Sequence, residues 1–479
     1  MVLHRELLVN GVFLGGPCDY ATGKDVIISP WNGSVVGTVA EAGWPEAEAA
    51  ATAAADAFAS WSRTPRAARQ RLLKTIAQLV RERADELADL LVAEVGKPIT
   101  FARSEVERMA FTFEASARLL DEPEFTDVDL GPDPRASRYR AQSARFPIGR
   151  ILAIVPYNWP YNLAAHKIGP ALAAGNTVVL KVSPWAPLCG LTLARLIHEA
   201  GCPPGVVNAL HMSTAHSERL VQDDRWAMVS FTGSPSVGFA IRAASPARRV
   251  TLELGGDAFV LIEPGTDLDL AIPALTTSAF GFAGQVCISA QHVWVRDEMI
   301  DEVRERLIEA TLSCSAGDPK LLETVCGPLI SGEAADRVES WIDEAVAAGA
   351  HALIRGERSR NLLRPSLIEN VPESVRLGCD EVFGPVLTLG SYSDLSDAFA
   401  RVRRSPFALQ ASLFSRDSDA IEQAFREVPM GTWVINDVPS VRFDSMPYGG
   451  LKRSGLGREG VRFAFEEMTE IRLQLERAE

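Results

Sequence analysis

The stretch RILAIVPYNWPYNLAAHKIGPALAAGNTVVLKV, residues 150–182, decides the fold. Two β-rich runs, RILAIV and TVVLKV, flank a segment, 161–174, whose apolar residues and alanines suit a helix. Two strands joined through a helix lie parallel in one sheet, and the crossover is right-handed. The pattern then repeats: 187–200 reads as helix, VVNAL as strand, about 215–223 as helix, AMVSFTG as strand, 235–243 as helix and VTLELGG as strand. This alternation predicts an α/β, doubly wound parallel sheet. Ligands of such sheets lie beyond the carboxyl ends of the strands, where this sequence concentrates Gly, Asn, Ser and Lys.

On the amino-terminal side, residues 45–96 read as two helices. Pro65 breaks them apart, Leu72, Leu73, Ile76, Leu79, Val80, Leu87, Leu90 and Leu91 recur at helical spacing, and Gly96-Lys97-Pro98 stops the second. Residues 121–147 are rich in Pro and charge and read as a linker or an exposed hairpin. From about 256 to 450 a second alternation of strands and helices suggests another α/β unit. A chain of 479 residues with 47% apolar content supports two or three domains.

Charge and cysteines narrow the partners. Lys and Arg number 48 against 62 Asp and Glu, a net charge of −14 that argues against nucleic acid. Arg63, Arg66, Arg69 and Arg71, at helical spacing among alanines, read as a solvated face. The seven cysteines, at 18, 189, 202, 287, 314, 326 and 379, form no C-x-x-C pair and no ligand spacing with the seven histidines, so no metal is expected. A reducing cytoplasm suits them. The amino terminus carries Glu6 and Asn10 where a secretory signal needs an apolar core, and no apolar run reaches membrane-spanning length.

The candidate chemistry is spread over short motifs. FTGSPSVG, 231–238, ends a strand and opens a helix whose free N–H groups could hold a phosphate, though taken alone a plain Ser-capped helix is the favoured reading of it. Glu253 in VTLELGG points away from the face of Val250, Leu252 and Leu254, and at a strand's carboxyl end it could reach a cleft as a base. Asn158, held between two prolines in PYNWP, could donate to an oxyanion, or serve as a turn asparagine. Lys181 could meet ribose or phosphate. Cys287, in FGFAGQVCISAQHVWV (280–295), reads by itself as a buried core thiol.

Taken in order, PYNWP, K-x-S-P, FTGS, LELGG, GQVC, EVFGPV and MPYGGLKRSGLGRE resemble the aldehyde dehydrogenase superfamily over essentially the whole chain. The resemblance implies that Cys287 is the nucleophile, that Asn158 and the Cys287 backbone N–H hold the oxyanion, and that Glu253 activates water for thioester hydrolysis. It further implies NAD or NADP as cofactor, with Lys181 and Ser183 near the adenosine ribose, Gly233, Ser234 and Gly238 at the pyrophosphate, Pro156, Trp159, Leu254 and Gly255 around the cofactor, and Glu381 and Phe383 at the nicotinamide. Glu459 would relay protons outward. The expected division is 1–121 with 148–255 for cofactor binding, 256–454 for catalysis, and 122–147 with 455–479 as a bridging element that pairs subunits into dimers or tetramers.

The substrate implied is a small polar aldehyde, since the tail from Val434 to Arg472 resembles the lactaldehyde, glyceraldehyde phosphate and semialdehyde branch. Val286 and Ile288 would wall an apolar channel, and Arg442 would stand at the mouth to receive a carboxylate or phosphate, or else lie on a surface loop. Pro184 stands where many NAD-preferring members carry a glutamate, which leaves the cofactor choice open with a tilt to NAD. Asp257, after LELGG, replaces the family's commoner Lys or Asn, and Phe259 its commoner Pro. An acylating enzyme that forms an acyl-CoA is the rival reading, opposed by Glu253; a non-catalytic binding protein is opposed by the presence of Cys287, Asn158 and Glu253 together. A cysteine hydrolase would need a histidine in these motifs, and none of them contains one.

Overall fold

The computed structural model describes residues 3–16 and 23–477. Cys18 therefore lies outside the described residues. The nine elements expected between 150 and 256 are all formed: strands Arg150–Ile154, Thr177–Lys181, Val207–Leu210, Met228–Thr232 and Arg249–Glu253, with helices Pro160–Ala174, Pro187–Glu199, Thr214–Val221 and Pro235–Ala243 between them. These five strands are mutually parallel. Strand Arg150–Ile154 lies between Thr177–Lys181 and Met228–Thr232, so the chain winds one way and then the other from this central strand. That reversal opens a crevice at the strands' carboxyl ends. Leu7–Val9 with Val12–Leu14 extends one edge of the eight-stranded sheet, and Gly455–Leu456 pairs antiparallel with Arg249–Glu253 at the other.

A second sheet of seven strands holds the other half. Ser366–Glu369, Val386–Tyr392, Ala290–Arg296, Ala258–Ile262, Gln410–Phe414 and Thr432–Ile435 run parallel, with His351–Ile354 antiparallel at one edge. Its central strand Ala258–Ile262 is apolar on both faces, and the neighbouring Gln410–Phe414 is buried along its whole length, as cover on both sides requires. The Pro- and charge-rich region forms an antiparallel pair, Phe125–Asp127 with Tyr139–Pro147, and the carboxyl-terminal strand Thr469–Arg477 completes a three-stranded sheet. On one face of that sheet Tyr139, Ile471, Leu473 and Leu475 are exposed.

Two local expectations change. The second amino-terminal helix is two helices, Arg66–Glu82 and Ala84–Val95, broken at Arg83, where neither Pro nor Gly announces a stop. Arg69, read as part of a solvated face, is buried, and desolvation pushes its guanidinium down to about 10. Among the described residues no helix is long and apolar enough to cross a membrane, and no group of His, Cys, Asp and Glu is disposed to hold a metal ion.

Candidate active site

The crevice at the winding reversal deepens into a cavity of about 630 Å³ between the two large sheets. The turn after the central strand supplies Pro156, Asn158 and Trp159, and the turn after Met228–Thr232 supplies Gly233 and Ser234. Glu253, Leu254 and Gly255 come from the end of the next strand. The seven-stranded half contributes Val286, Cys287, Ile288, Glu381, Phe383 and Arg442, and the segment that follows Gly455–Leu456 contributes Glu459. Residues far apart in sequence thus meet in one place.

The loop carrying Cys287 is held by Gln285. Phe282, Ala283 and Gly284 all have left-handed backbone, with φ of 52°, 56° and 67°, a strained run for two non-glycine residues. Gln285 follows, fully buried, and compensates with its side chain: its amide nitrogen donates to the carbonyls of Phe282 and Pro328, and its oxygen accepts from Ile330 N (2.9 Å) and Tyr157 Oη (3.0 Å). The Gln285 carbonyl accepts from Asn158 Nδ2 at 2.9 Å, which turns the donor end of that amide toward the cysteine loop and leaves its second hydrogen available. Gly256 is needed here because a Cβ would collide with the Cys287 carbonyl, and a Cβ at Gly255 would displace the Glu381 carboxylate.

Cys287 is half-buried, beside Val286, Ile288, Leu409, Met446 and Tyr448. Desolvation pushes its thiol up to about 11, against a hydrogen bond from Tyr448 that lowers it. Glu253 is 4% exposed and neither carboxylate oxygen has a hydrogen-bond partner among the described residues. Burial, reinforced by the Glu459 charge, raises its pKa well above the ordinary value. Its strand alternation does point it away from the core of Leu252 and Leu254, yet it is not solvated, because the Gly449–Arg458 segment lies over it.

Glu459 and Arg442 form a buried pair, Oε2 to Nη2 at 2.9 Å, and Lys167 Nζ lies 3.4 Å from the other oxygen. Burial alone would raise Glu459, but Lys167 and Arg442 outweigh it and hold the carboxylate ionised. Arg442 is therefore neither a surface arginine nor a free cation: its side chain is 7% exposed, and its guanidinium is paired with Glu459 and lies 3.7 Å from the Tyr448 ring centroid. Beside this pair, Asp444 accepts from Arg108, Asn162 and His166, and their hydrogen bonds and charge overcome burial to hold it far below the usual carboxylate range. Trp159 carries Lys97 Nζ 3.8 Å and Arg108 5.2 Å from its ring centroid.

Lys181, Ser183 and Gly238 do not line the cavity. Lys181 ends its strand 9% exposed, and desolvation pushes it down to about 8. The Ser183 hydroxyl accepts from Trp185 N, and Gly238 lies against Leu254. Asp257 is an internal anchor: it accepts from Gln291 Nε2 (2.8 Å), pairs with His292 Nε2 (2.6 Å) and accepts from Ser405 Oγ (3.2 Å), while Phe259 stacks on the His292 ring. Sequence reasoning missed Gln285, Arg108 and Tyr448 as site residues. For Gln285 and Tyr448 the signal was their place inside GQVC and MPYGG; for Arg108 there was none.

These residues fit a dinucleotide. Helix Pro235–Ala243 begins at Ser234 with no side-chain cap, so its first N–H groups are free to meet a pyrophosphate, and the Glu381 carboxylate reaches Gly256 N at 3.2 Å on the cavity wall. Desolvation pushes Glu381 up to about 8.

Comparison with known proteins places the whole fold in a family. Residues 20–473 match the model of the aldehyde dehydrogenase family. A 3-sulfolactaldehyde dehydrogenase of Priestia aryabhattai is 38% identical over 406 residues, 85% of each chain. The crystal structure of aldehyde dehydrogenase 21 from Physcomitrella patens in complex with the reaction product succinate superposes with a TM-score of 0.96 at 31% identity, covering 100% of this chain and 99% of that one. An NADP-dependent glyceraldehyde-3-phosphate dehydrogenase from Bacillus halodurans C-125, complexed with NADP, gives 0.95 at 30% identity and covers 100% of both chains.

Proposed function

The chain belongs to the aldehyde dehydrogenase family of NAD(P)-dependent oxidoreductases, and from that premise we propose that it converts a small polar aldehyde to its carboxylic acid through a thioester on Cys287. The observation that carries the reading is the meeting, in one cavity, of a half-buried thiol, an amide donor and an unpartnered carboxyl group.

Cys287 Sγ, as thiolate, adds to the aldehyde carbon, and the carbonyl electron pair moves to oxygen. The free hydrogen of Asn158 Nδ2 and the Cys287 N–H stabilise that oxyanion. When bound, NAD(P) supplies the hydride acceptor. Gly233, Ser234 and the helix they open would hold its pyrophosphate, Lys181 and Ser183 its adenosine ribose, and Glu381 and Phe383 its nicotinamide end. Glu253 then takes a proton from the water that attacks the thioester carbon, and the acid leaves as the thiol is restored. Glu459, held ionised by Lys167 and Arg442, acts as a fixed charge beside this base more readily than as a proton carrier.

A polar substrate is supported by the cavity's Arg108, Asn162 and Ser440 and by what the relatives act on or hold: sulfolactaldehyde for one, succinate for another. Arg108 gives Nε and Nη2 to Asp444, and its Nη1 makes no hydrogen bond among the described residues. The reading also assigns residues 1–121 and 148–255 to cofactor binding, 256–454 to catalysis and 122–147 with 455–479 to subunit pairing. The exposed face of Tyr139, Ile471, Leu473 and Leu475 supports a dimer or tetramer. The six free cysteines described suit a reducing cytoplasm.

The test follows the ultraviolet absorbance of reduced cofactor across lactaldehyde, succinic semialdehyde and glyceraldehyde phosphate, with and without coenzyme A. Turnover independent of coenzyme A is expected with wild type and none with Cys287→Ala. Turnover that survives in Cys287→Ala, or that requires coenzyme A, would sink the proposal.

A further inference from the structure

The Tyr448 hydroxyl lies 3.0 Å from Cys287 Sγ. We propose that Tyr448 is a catalytic residue whose hydroxyl donates a hydrogen bond to the Cys287 thiolate and sets the fraction of reactive sulfur. This deepens the proposed function and rests on Cys287 being the nucleophile.

Four observations support it. Tyr448 is 2% exposed and fixed at its backbone by two hydrogen bonds to Glu459, Tyr448 N to Glu459 O at 2.9 Å and Glu459 N to Tyr448 O at 2.6 Å. Its hydroxyl thus meets the sulfur from a rigid support. The Arg442 guanidinium lies 3.7 Å from the phenol ring centroid, where its positive charge draws electron density from the ring and sharpens the hydroxyl as a donor. Arg442 is held there by Glu459. Finally, burial raises the Tyr448 pKa well above its ordinary value, so the phenol keeps its proton where the thiol titrates.

While both groups are neutral, either could donate. Once the thiol has lost its proton the sulfur is an acceptor only, and the phenol is the one donor of the pair. The other charges facing the thiol divide: Glu381 and Glu253 disfavour a thiolate and Arg442 favours it. With apolar Val286, Ile288, Leu409 and Met446 around the sulfur, the phenol is its nearest polar compensation.

Tyr448→Phe keeps the ring and removes the donor. The pH profile of Cys287 alkylation by iodoacetamide, taken as wild type minus Cys287→Ala, should move up by about one pH unit, so that alkylation below the inflection slows about tenfold. The rate of the first turnover should fall by a similar factor at neutral pH and recover at high pH, which a loss of packing alone would not produce. Cofactor binding, read by quenching of tryptophan fluorescence, should be unchanged. If the Phe variant does not assemble, a ring-fluorinated tyrosine at 448, a stronger donor, should move the inflection down. An inflection that stays put in whichever variant folds overturns the role of Tyr448, while Cys287→Ala remains inactive; turnover surviving in Cys287→Ala overturns the underlying mechanism instead.

Discussion

Two glutamates face the same cavity, each 4% exposed, and they end in opposite states. Glu459 meets Lys167 and Arg442 and is held ionised; Glu253 has no hydrogen-bond partner among the described residues, and burial with the Glu459 charge raises its pKa well above the ordinary value. Burial penalises both charges alike, so the difference comes from the partners. A buried carboxylate with two cations is scaffold, fixing Arg442 over Tyr448. A buried carboxyl that no cation hydrogen-bonds, with Arg442, Lys167 and Arg458 acting on it only through space, has its pKa raised toward the range a base working near neutral pH requires.

The largest test of the contrast removes the proton exchange. Glu253→Gln should lower steady-state turnover by about 10²- to 10⁴-fold. The first turnover of reduced cofactor should persist, because thiolate attack precedes the step that needs the base. Rapid-mixing absorbance separates the two phases. Loss of the burst together with the steady state would move Glu253 to an earlier step.

The counterpart, Glu459→Gln, strips two buried cations of their counter-charge and should destabilise the fold by about 3–5 kcal/mol at neutral pH. Its sign against pH follows from the depressed pKa. The ionised Glu459 stabilises the fold above its unfolded value of 4.5, and that stabilisation is lost as pH falls through the folded value of about 2. Denaturant titrations of wild type and variant should therefore converge in acid. A constant gap from neutral pH to acid would deny the ion pair its role.

Glu253 works in the other direction. Below 4.5 both folded and unfolded states carry its proton; above that the unfolded chain ionises before the buried group does, so wild type loses stability as pH rises toward the raised folded value. Glu253→Gln escapes this loss and should become more stable than wild type at neutral pH, with no advantage in acid. A variant that is inactive and yet more stable is the signature of a strained functional group. A less stable variant at neutral pH would mean that Glu253 has partners after all.

The sequence carried the winding of the first sheet almost element by element, because strand and helix periods alternate cleanly from 150 to 256. It carried the direction of Glu253 but not its burial. Alternation reports which face a residue takes, whereas the cover over that face comes from Gly449–Arg458, some two hundred residues later. Arg442 was ambiguous for the same reason: its counter-charge, Glu459, is near in sequence, but nothing local says that both are buried. The break at Arg83 has no local signal, and the role of Asp257 depends on His292 and Ser405, which only the fold brings to it.

Lys181 gives the smallest test and extends the comparison to a cation. Like Glu253 it is buried at the end of a strand, and desolvation alone sets its pKa at about 8. By the same logic it awaits a ligand rather than supporting the scaffold. A 2'-phosphate would find one lysine there and no opposing charge, since position 184 is an exposed proline; a free 2'-hydroxyl would find no carboxylate. Discrimination between NAD and NADP in the wild type should therefore be less than about 100-fold, tilted to NAD because one lysine is a thin phosphate site. Because Lys181 is protonated only below about 8, NADP should lose ground to NAD as pH rises through that value. Pro184→Glu places a carboxylate near Lys181, turning an unpaired group into a paired one. It should shift the ratio of kcat/KM values toward NAD by about tenfold, or about 1.4 kcal/mol, by harming NADP selectively. Equal effects on both cofactors would show that residue 184 does not face the ribose, and that Lys181 is buried for the fold's sake alone.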